Sequence, residues 1–383
     1  MIVTEPDGRP DMGERRAWGW VAHLRDGGTT PWQAWAGQHH PLGESQGRYL
    51  PGAQQLELLR RLNLAGRPGA GLATKVLEAS AAGRGRPDLE LVGAGPASEF
   101  GPAPVDPAGL VAGELVRVAA SVLADRLVDH PPAEPTDLRR ASRWRRGFRV
   151  VGDPELADDI RGQLTARGRV PGGREPRILV MGSDLASMTA HAWTQRAFGE
   201  GVGSWREFLR LVHERAELPH RADLVAVARW WERRVGKERV HVVLDPTAVP
   251  RLAGERRRLA PPTYLPAEAG ELARKVGSVL GLLVLPEEGE RLLDEGLRPL
   301  VRHHAHAVVG AGPLVVATPH RDWLEAAAER MRRRLTRAGY AVHGDLDALV
   351  PRWSSAEEAA TGPSPDATLD LAVRVLLDEG RTA

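Results

Sequence analysis

A chain of 383 residues, 42% hydrophobic and 27% charged, has a globular composition and the length for two domains or one large α/β domain with an extension. Its 52 basic residues meet 50 acidic ones, and a net charge of +2 argues against a chain-wide binder of nucleic acid or membrane surface. With no cysteine, disulfides, thiolate catalysis and Cys-ligated metal sites are excluded, and no apolar run reaches the roughly 18–20 residues that span a bilayer.

The opening "MIVTEPDGRPDMGERR" lacks the basic-then-apolar pattern of a secretion signal, so a cytoplasmic protein without a membrane partner is the expectation. Residues 1–130 read as a helical region. Trp18, Val21 and Leu24 recur at three-residue steps, an amphipathic spacing. "RDGGTTPWQAW" follows, in which Gly27-Gly28 suit a helix C-cap, Thr30 an N-cap and Pro31 a first helical turn. Helices are expected over 51–66, 71–83 and 106–130, the last with Asp106 capping before Pro107. Residues 131–147, Pro-rich and then Arg-rich, form the linker candidate. The cluster Arg139, Arg140, Arg143, Arg145 and Arg146 within it suits an anion or a nucleic acid as well as water. Only Lys75, Lys237 and Lys275 are lysines, which leaves 49 arginines. So general an excess is a bias of the whole chain, and it weakens any single Arg-rich motif.

From residue 148 to 383 the rhythm changes. Short Val-rich runs at 148–153, 177–184, 239–246 and 313–319 read as strands, and helices are expected over 155–167, 185–198, 204–216, 222–235, within 267–308, and at 320–339. A closing helix is expected in the tail. Strands alternating with helices imply βαβ units: an α/β domain with a mainly parallel sheet and helices on both faces. Ligands of such sheets bind at the carboxyl ends of the strands. Those ends carry Asp153, Ser183, Asp184, Asp245, Thr318 and His320, and these form the candidate site. The competing reading is that Asp and Thr there only cap the following helices.

Several motifs carry less than they suggest. His303, His304 and His306 in "HHAHA" lack the H-x-x-x-H spacing of a helical metal pair, so no metal ligands are assigned. "HRDW" (320–323) has no accompanying kinase motifs. "GRGRPD" (83–88) contains the core of an AT-hook, but acidic and apolar residues follow it. "VVGDPELADD" has the strand–Gly–helix layout of a phosphate site. Its Asp153, Glu155, Asp158 and Asp159 would instead repel an anion.

Three segments, "RILVMGSDLASMTAHAWTQRAFGEGVGSWREFL", "LVAVARWWERRVGKERVHVVLDP" and "PLVVATPHRDWLEAAAERMRRRLTRAGYAVHGDLDALVP", resemble in order the actinobacterial sulfotransferase-like proteins. The resemblance covers about residues 177–350 and implies a P-loop-type sheet with 3′-phosphoadenosine-5′-phosphosulfate as donor. It also implies an Arg at the strand end, and a Ser eight residues later, on the donor's 3′-phosphate. Here those positions are Ser183 and His191. The family's cationic P-loop ends in Gly-Thr-Thr, and the one such run here, Gly28-Thr29-Thr30, is preceded by Asp26-Gly27. The cofactor is therefore unknown, and phosphosulfate is expected only if these degenerate positions still bind it.

The leading expectation is a divergent member without the donor site, serving as a binding or scaffold protein or acting on another ligand, with an unidentified small molecule or protein as partner. The alternative is an active sulfotransferase in which Gly28, Thr29 and Thr30 cradle the sulfonate and His191 or His320 acts as general base. A third reading, placed below both, is a DNA-binding protein using Arg84, Arg86 and the 139–146 cluster.

Overall fold

The computed structural model describes residues 12–37, 50–79, 88–95, 103–132, 147–353 and 362–378. Arg84, Arg86, His39, His40 and the basic cluster at 139–146 lie outside them. The chain forms two compact units: Met1–Pro131 with Lys275–Val309 and Pro365–Ala383, and Pro132–Arg274 with Gly310–Ser364. The sequence reading assigned the segments from 275 and 365 to the second domain. They cluster instead with the N-terminal helices. Among the described residues no helix is long and apolar enough to cross a membrane.

The first unit is helical. Helices α1 (Met12–Arg25), α2 (Ala53–Ala65), α3 (Ala70–Glu78) and α4 (Ala112–Asp129) come from its N-terminal part. In α1 the buried stripe is Ala17, Trp20, Val21 and Leu24, with Trp18 only half-buried. Asp106 caps a 3-10 turn, Pro107–Gly109, rather than α4 itself. The C-terminal helix of this unit, Pro365–Leu377, packs on α4, and Arg126 of α4 donates to the carbonyls of Val375, Leu376 and Asp378 at its end. A cation on orphan helix carbonyls favours that docking.

The second unit holds one four-stranded parallel sheet in the order β1 (Phe148–Gly152), β2 (Arg177–Met181), β3 (Val240–Val243), β4 (Ala341–His343). Alternate residues face opposite sides. Ile178, Val180, Val240 and Val242 pack with buried residues of α6 (Leu185–Ala197), α7 (Trp205–Arg215) and α8 (Leu224–Val235), and with the helix Arg321–Ala338. Phe148, Val150, Leu179, Met181 and Val243 pack with α5 (Pro154–Ala166) and α9 (Val249–Ala253). Helices therefore cover both faces. In chain order there follow α10 (Ala267–Leu283), α11 (Pro286–Arg291), a π-helical turn Leu292–Leu297, α12 (Arg298–His304), α13 (Arg321–Ala338) and α14 (Pro365–Leu377), of which α11, α12 and α14 belong to the first unit.

One expected strand is absent. Residues 313–319 join no ladder, and the fourth strand is Ala341–His343. Val316 is buried in the core and the Val315 carbonyl accepts from Trp205 Nε1 at 2.9 Å, so the apolar run is explained by packing without pairing. Prolines at 313 and 319 withhold two donors from any ladder.

On β3 and β4, His241 Nδ1 and His343 Nε2 lie 3.1 Å apart. Burial and the His343 and Arg177 charges push His241 below its ordinary value, and burial with Arg251 does the same to His343. Folded-state values below the unfolded one make this contribution present above about pH 6.5 and lost as the pH falls. Thermal melts from pH 7.5 to 5.5 are expected to show a shallower loss of stability for His241→Gln/His343→Gln than for the native chain.

Candidate functional site

The site forms where β1 and β2 end. Gly152 closes β1 with φ +96°, and a Cβ there would lie 2.2 Å from the Met181 carbonyl oxygen. Only glycine makes that turn beside β2. It delivers Asp153 to the start of α5, where Oδ1 accepts the Leu156 N–H at 3.3 Å. β2 ends in Gly182-Ser183-Asp184, and Asp184 caps α6 by accepting from the Ser187 amide at 2.9 Å and its hydroxyl at 2.6 Å. About two turns along α6, His191 points back to the strand ends.

Asp153 joins these pieces. It is 0% exposed. Ser183 Oγ donates to its Oδ2 at 2.6 Å, and His191 Nδ1 lies 2.8 Å from Oδ1 and 3.1 Å from Oδ2. A carboxylate only accepts, so Nδ1 carries the hydrogen. Burial acts to raise the Asp153 value, but the His191 charge with the His191, Ser183 and Leu156 hydrogen bonds outweighs it and holds the carboxyl below the usual range. For His191 burial acts to lower the value. The Asp153 charge and hydrogen bond, helped by Glu155 and Asp184, outweigh it and leave the imidazole raised. The two directions agree: each partner favours the charged form of the other. Nearby, Arg221 Nε donates to the Gly152 carbonyl at 3.0 Å.

The Tyr264 ring stacks on His191 with centroids 4.7 Å apart and planes at 17°. Its hydroxyl is pushed up to about 12 by burial and by Asp153, Asp159, Asp184 and Glu155. Ser183, Ser187, His191, Thr194, Tyr264 and Leu314 are among the residues lining a cavity of about 280 Å³. The volume suits a small polar molecule. His191 Nδ1 is committed to Asp153, which leaves Nε2 as the ring atom for proton exchange with an occupant.

Of the expected site residues, Asp153, Ser183, Asp184 and His191 come together. Asp245 does not join them: it accepts from the Thr247 amide and hydroxyl and caps the turn Pro246–Ala248. Thr318 is exposed in the turn Thr318–His320, and neither it nor His320 lines this cavity. His320 Nδ1 lies 2.9 Å from His213 Nδ1, and burial with that neighbour lowers its value.

Gly28, Thr29 and Thr30 belong to the other compact unit and follow a helix rather than a strand. Gly27, at φ +90°, and Gly28 donate to the Leu24 and His23 carbonyls and close α1. Thr30 Oγ1 lies 3.1 Å from His23 Nε2, and its carbonyl accepts from Trp20 Nε1 at 2.9 Å. Thr29 is exposed. Pro31, not Thr30, holds the N-cap position, and the helix it starts is only the 3-10 turn Trp32–Ala34.

Tyr264 was not anticipated, because "APPTYLP" carries no periodicity. Nor was the grouping of His303, His304 and Asp378, whose ligand atoms lie within 4.8 Å of one another. Spacing along "HHAHA" cannot reveal a third group 74 residues away; the contact present is His304 Nε2 to Asp378 Oδ2 at 2.9 Å. No protein-family model, curated protein or solved structure matches this chain.

Replacing Asp153 by Asn removes one partner of a buried ion pair and is expected to cost about 3–5 kcal/mol, read from urea denaturation midpoints. By NMR, His191 is expected to titrate above its ordinary value in the native chain and lower in Asp153→Asn, where only the Glu155 and Asp184 charges oppose burial.

Proposed function

We propose that this chain is a divergent sulfotransferase-like protein without the phosphosulfate donor site, and that the cavity beside His191 binds a small neutral or cationic ligand. One observation carries the proposal. The positive end of α5, where β1 turns into a helix and a P-loop-type protein would place its phosphate, is capped by the chain's own buried Asp153. Ser183, at the position where the resemblance implies a donor-binding Arg, gives its hydroxyl to the same carboxylate. A second anion there would meet Asp153 and Asp184, with the His191 charge already paired to Asp153 and Arg221 bound to the Gly152 carbonyl and Asp158. A ligand with hydroxyl or amine groups would meet the opposite situation, with Asp184 and the Ser187 and Thr194 side chains beside it.

A catalytic reading is the second choice, and the Asp153–His191 pair favours it. A carboxylate that fixes the imidazole tautomer and stabilises its charged form is the arrangement a general acid–base histidine uses. In that reading His191 serves through Nε2, and Ser183 is a positioning residue, since its proton goes to Asp153.

A thermal-shift panel tests the first reading. Phosphoadenosine phosphosulfate and adenosine 3′,5′-bisphosphate are expected to leave the melting temperature unchanged. Small polyols and amines are expected to raise it in the native chain and less in Asp184→Asn. A shift with the phosphosulfate that disappears in Ser183→Ala contradicts the proposed loss of the donor site.

A further inference from the structure

A second cavity lies elsewhere in the second unit, between α6, α7, α8 and α13, with a volume of about 610 Å³. Its floor is apolar and aromatic, with Phe208, Trp323 and Met331 among its residues. Trp323 Nε1 is buried and has no hydrogen-bond partner among the described residues. Around it stand Arg196, Arg215, Arg330 and Arg334, against the carboxylates of Glu217 and Asp223. Asp223 is already engaged, since its side chain accepts the Ala226 amide at 3.0 Å to cap α8.

An arginine excess runs through this chain, so charge alone decides nothing. The gathering of these four around one aromatic-lined cavity does. Some surface arginines are matched by a carboxylate one turn away: Arg210 with Glu214, Arg274 with Glu271, Arg291 with Glu288, Arg374 with Asp370. Within α13, Arg332 pairs with Glu329 and Asp347, and Arg333 with Glu329. Arg330 and Arg334, on the same helix and beside the cavity, make no hydrogen bond or ion pair to any described residue. They are four residues apart, so their like charges face each other across one turn, an arrangement that disfavours the helix. Arg196 and Arg215 likewise have no carboxylate partner among the described residues, and Arg196 lies 6.0 Å from the Phe208 ring centroid.

We infer that this cavity binds an organic anion with an aromatic or aliphatic body and a phosphate- or sulfonate-type head. The body covers Phe208, Trp323 and Met331. The head lies between Arg330 and Arg334, where guanidinium groups offer paired donors to its oxygens, and Arg196 and Arg215 add charge from the facing helices. The volume falls within the range of small-molecule sites. The site shares no lining residue with the cavity beside His191, and the inference stands independently of the function proposed for that one.

The test uses 8-anilinonaphthalene-1-sulfonate as a fluorescent probe on the folded full chain, with 1-naphthyl phosphate, 1-naphthol and inorganic phosphate as competitors. The native chain is expected to bind the probe with a saturable blue-shifted signal. 1-Naphthyl phosphate should displace it better than 1-naphthol or inorganic phosphate. Arg330→Gln/Arg334→Gln is expected to weaken binding by about tenfold or more. Arg332→Gln, which removes a paired arginine outside the cavity, should leave it unchanged. Without probe, the double variant should melt no lower than the native chain, because a like-charge pair has been removed. Unchanged probe affinity in the double variant, equal displacement by 1-naphthol, or a lower melting temperature that assigns both arginines a structural role would each overturn the inference.

Discussion

A carboxylate removed from water must be surrounded by donors or give up its charge, and the candidate site is organised around one that keeps it. Asp153 takes donors from three places: the first turn of its own helix, the residue that follows Gly182 at the end of β2, and a ring two turns into the next helix. Each donor belongs to a different piece of chain, so the carboxylate sets the relation of β1, β2, α5 and α6 at their shared end. The same charge raises the proton affinity of the His191 imidazole despite its burial. Tyr264, stacked above, feels the surrounding carboxylates as a raised proton affinity. Local turn chemistry, sheet geometry and the electrostatics of the cavity thus meet in one side chain.

The consequence for function lies in occupancy. A helix N-terminus behind a strand–glycine turn is a general anion site, because its amides are unpaired and its dipole is positive. In this chain the anion is covalently attached. The turn has the strand–glycine–helix layout, and its helix N-terminus is capped from within by Asp153. The cavity beside Arg330 and Arg334 is the reverse case, with four arginines around it against the two carboxylates of Glu217 and Asp223. Carboxylate-rich and arginine-rich cavities are therefore separated within one unit.

Much of this was legible in the residues, for identifiable reasons. The three strands at 148–152, 177–181 and 240–243 are continuous Val-rich runs between turn residues, the pattern of strands covered on both faces. The competing reading of Asp153 and Asp184 as helix caps holds, since each side chain accepts an amide of its helix, and Ser204 and Asp223 cap α7 and α8 in the same way. The run at 313–319 misled because an apolar segment has the same composition whether it pairs or merely packs. The three-residue strand at 341–343 is too short to announce itself. Asp153, Ser183 and His191 were visible as individual candidates, but sequence carries no distance between residues 38 apart, so their convergence on one carboxylate was not legible. Tyr264 and Asp378 lay beyond reach for the same reason. The helix over 18–24 was readable from spacing alone, and the structure extends it to Met12–Arg25.

The central claim is that the Asp153 carboxylate itself occupies an anion position that holds β1, β2, α5 and α6 together. Chemical rescue measures this most directly. Asp153→Ala removes the carboxylate and leaves its donors in place, and added formate can take its position. The account predicts a saturable rise in the melting temperature of the variant with formate concentration, at constant ionic strength, and no such rise for the native chain. Equal responses of the two proteins, or no response of the variant, would contradict it.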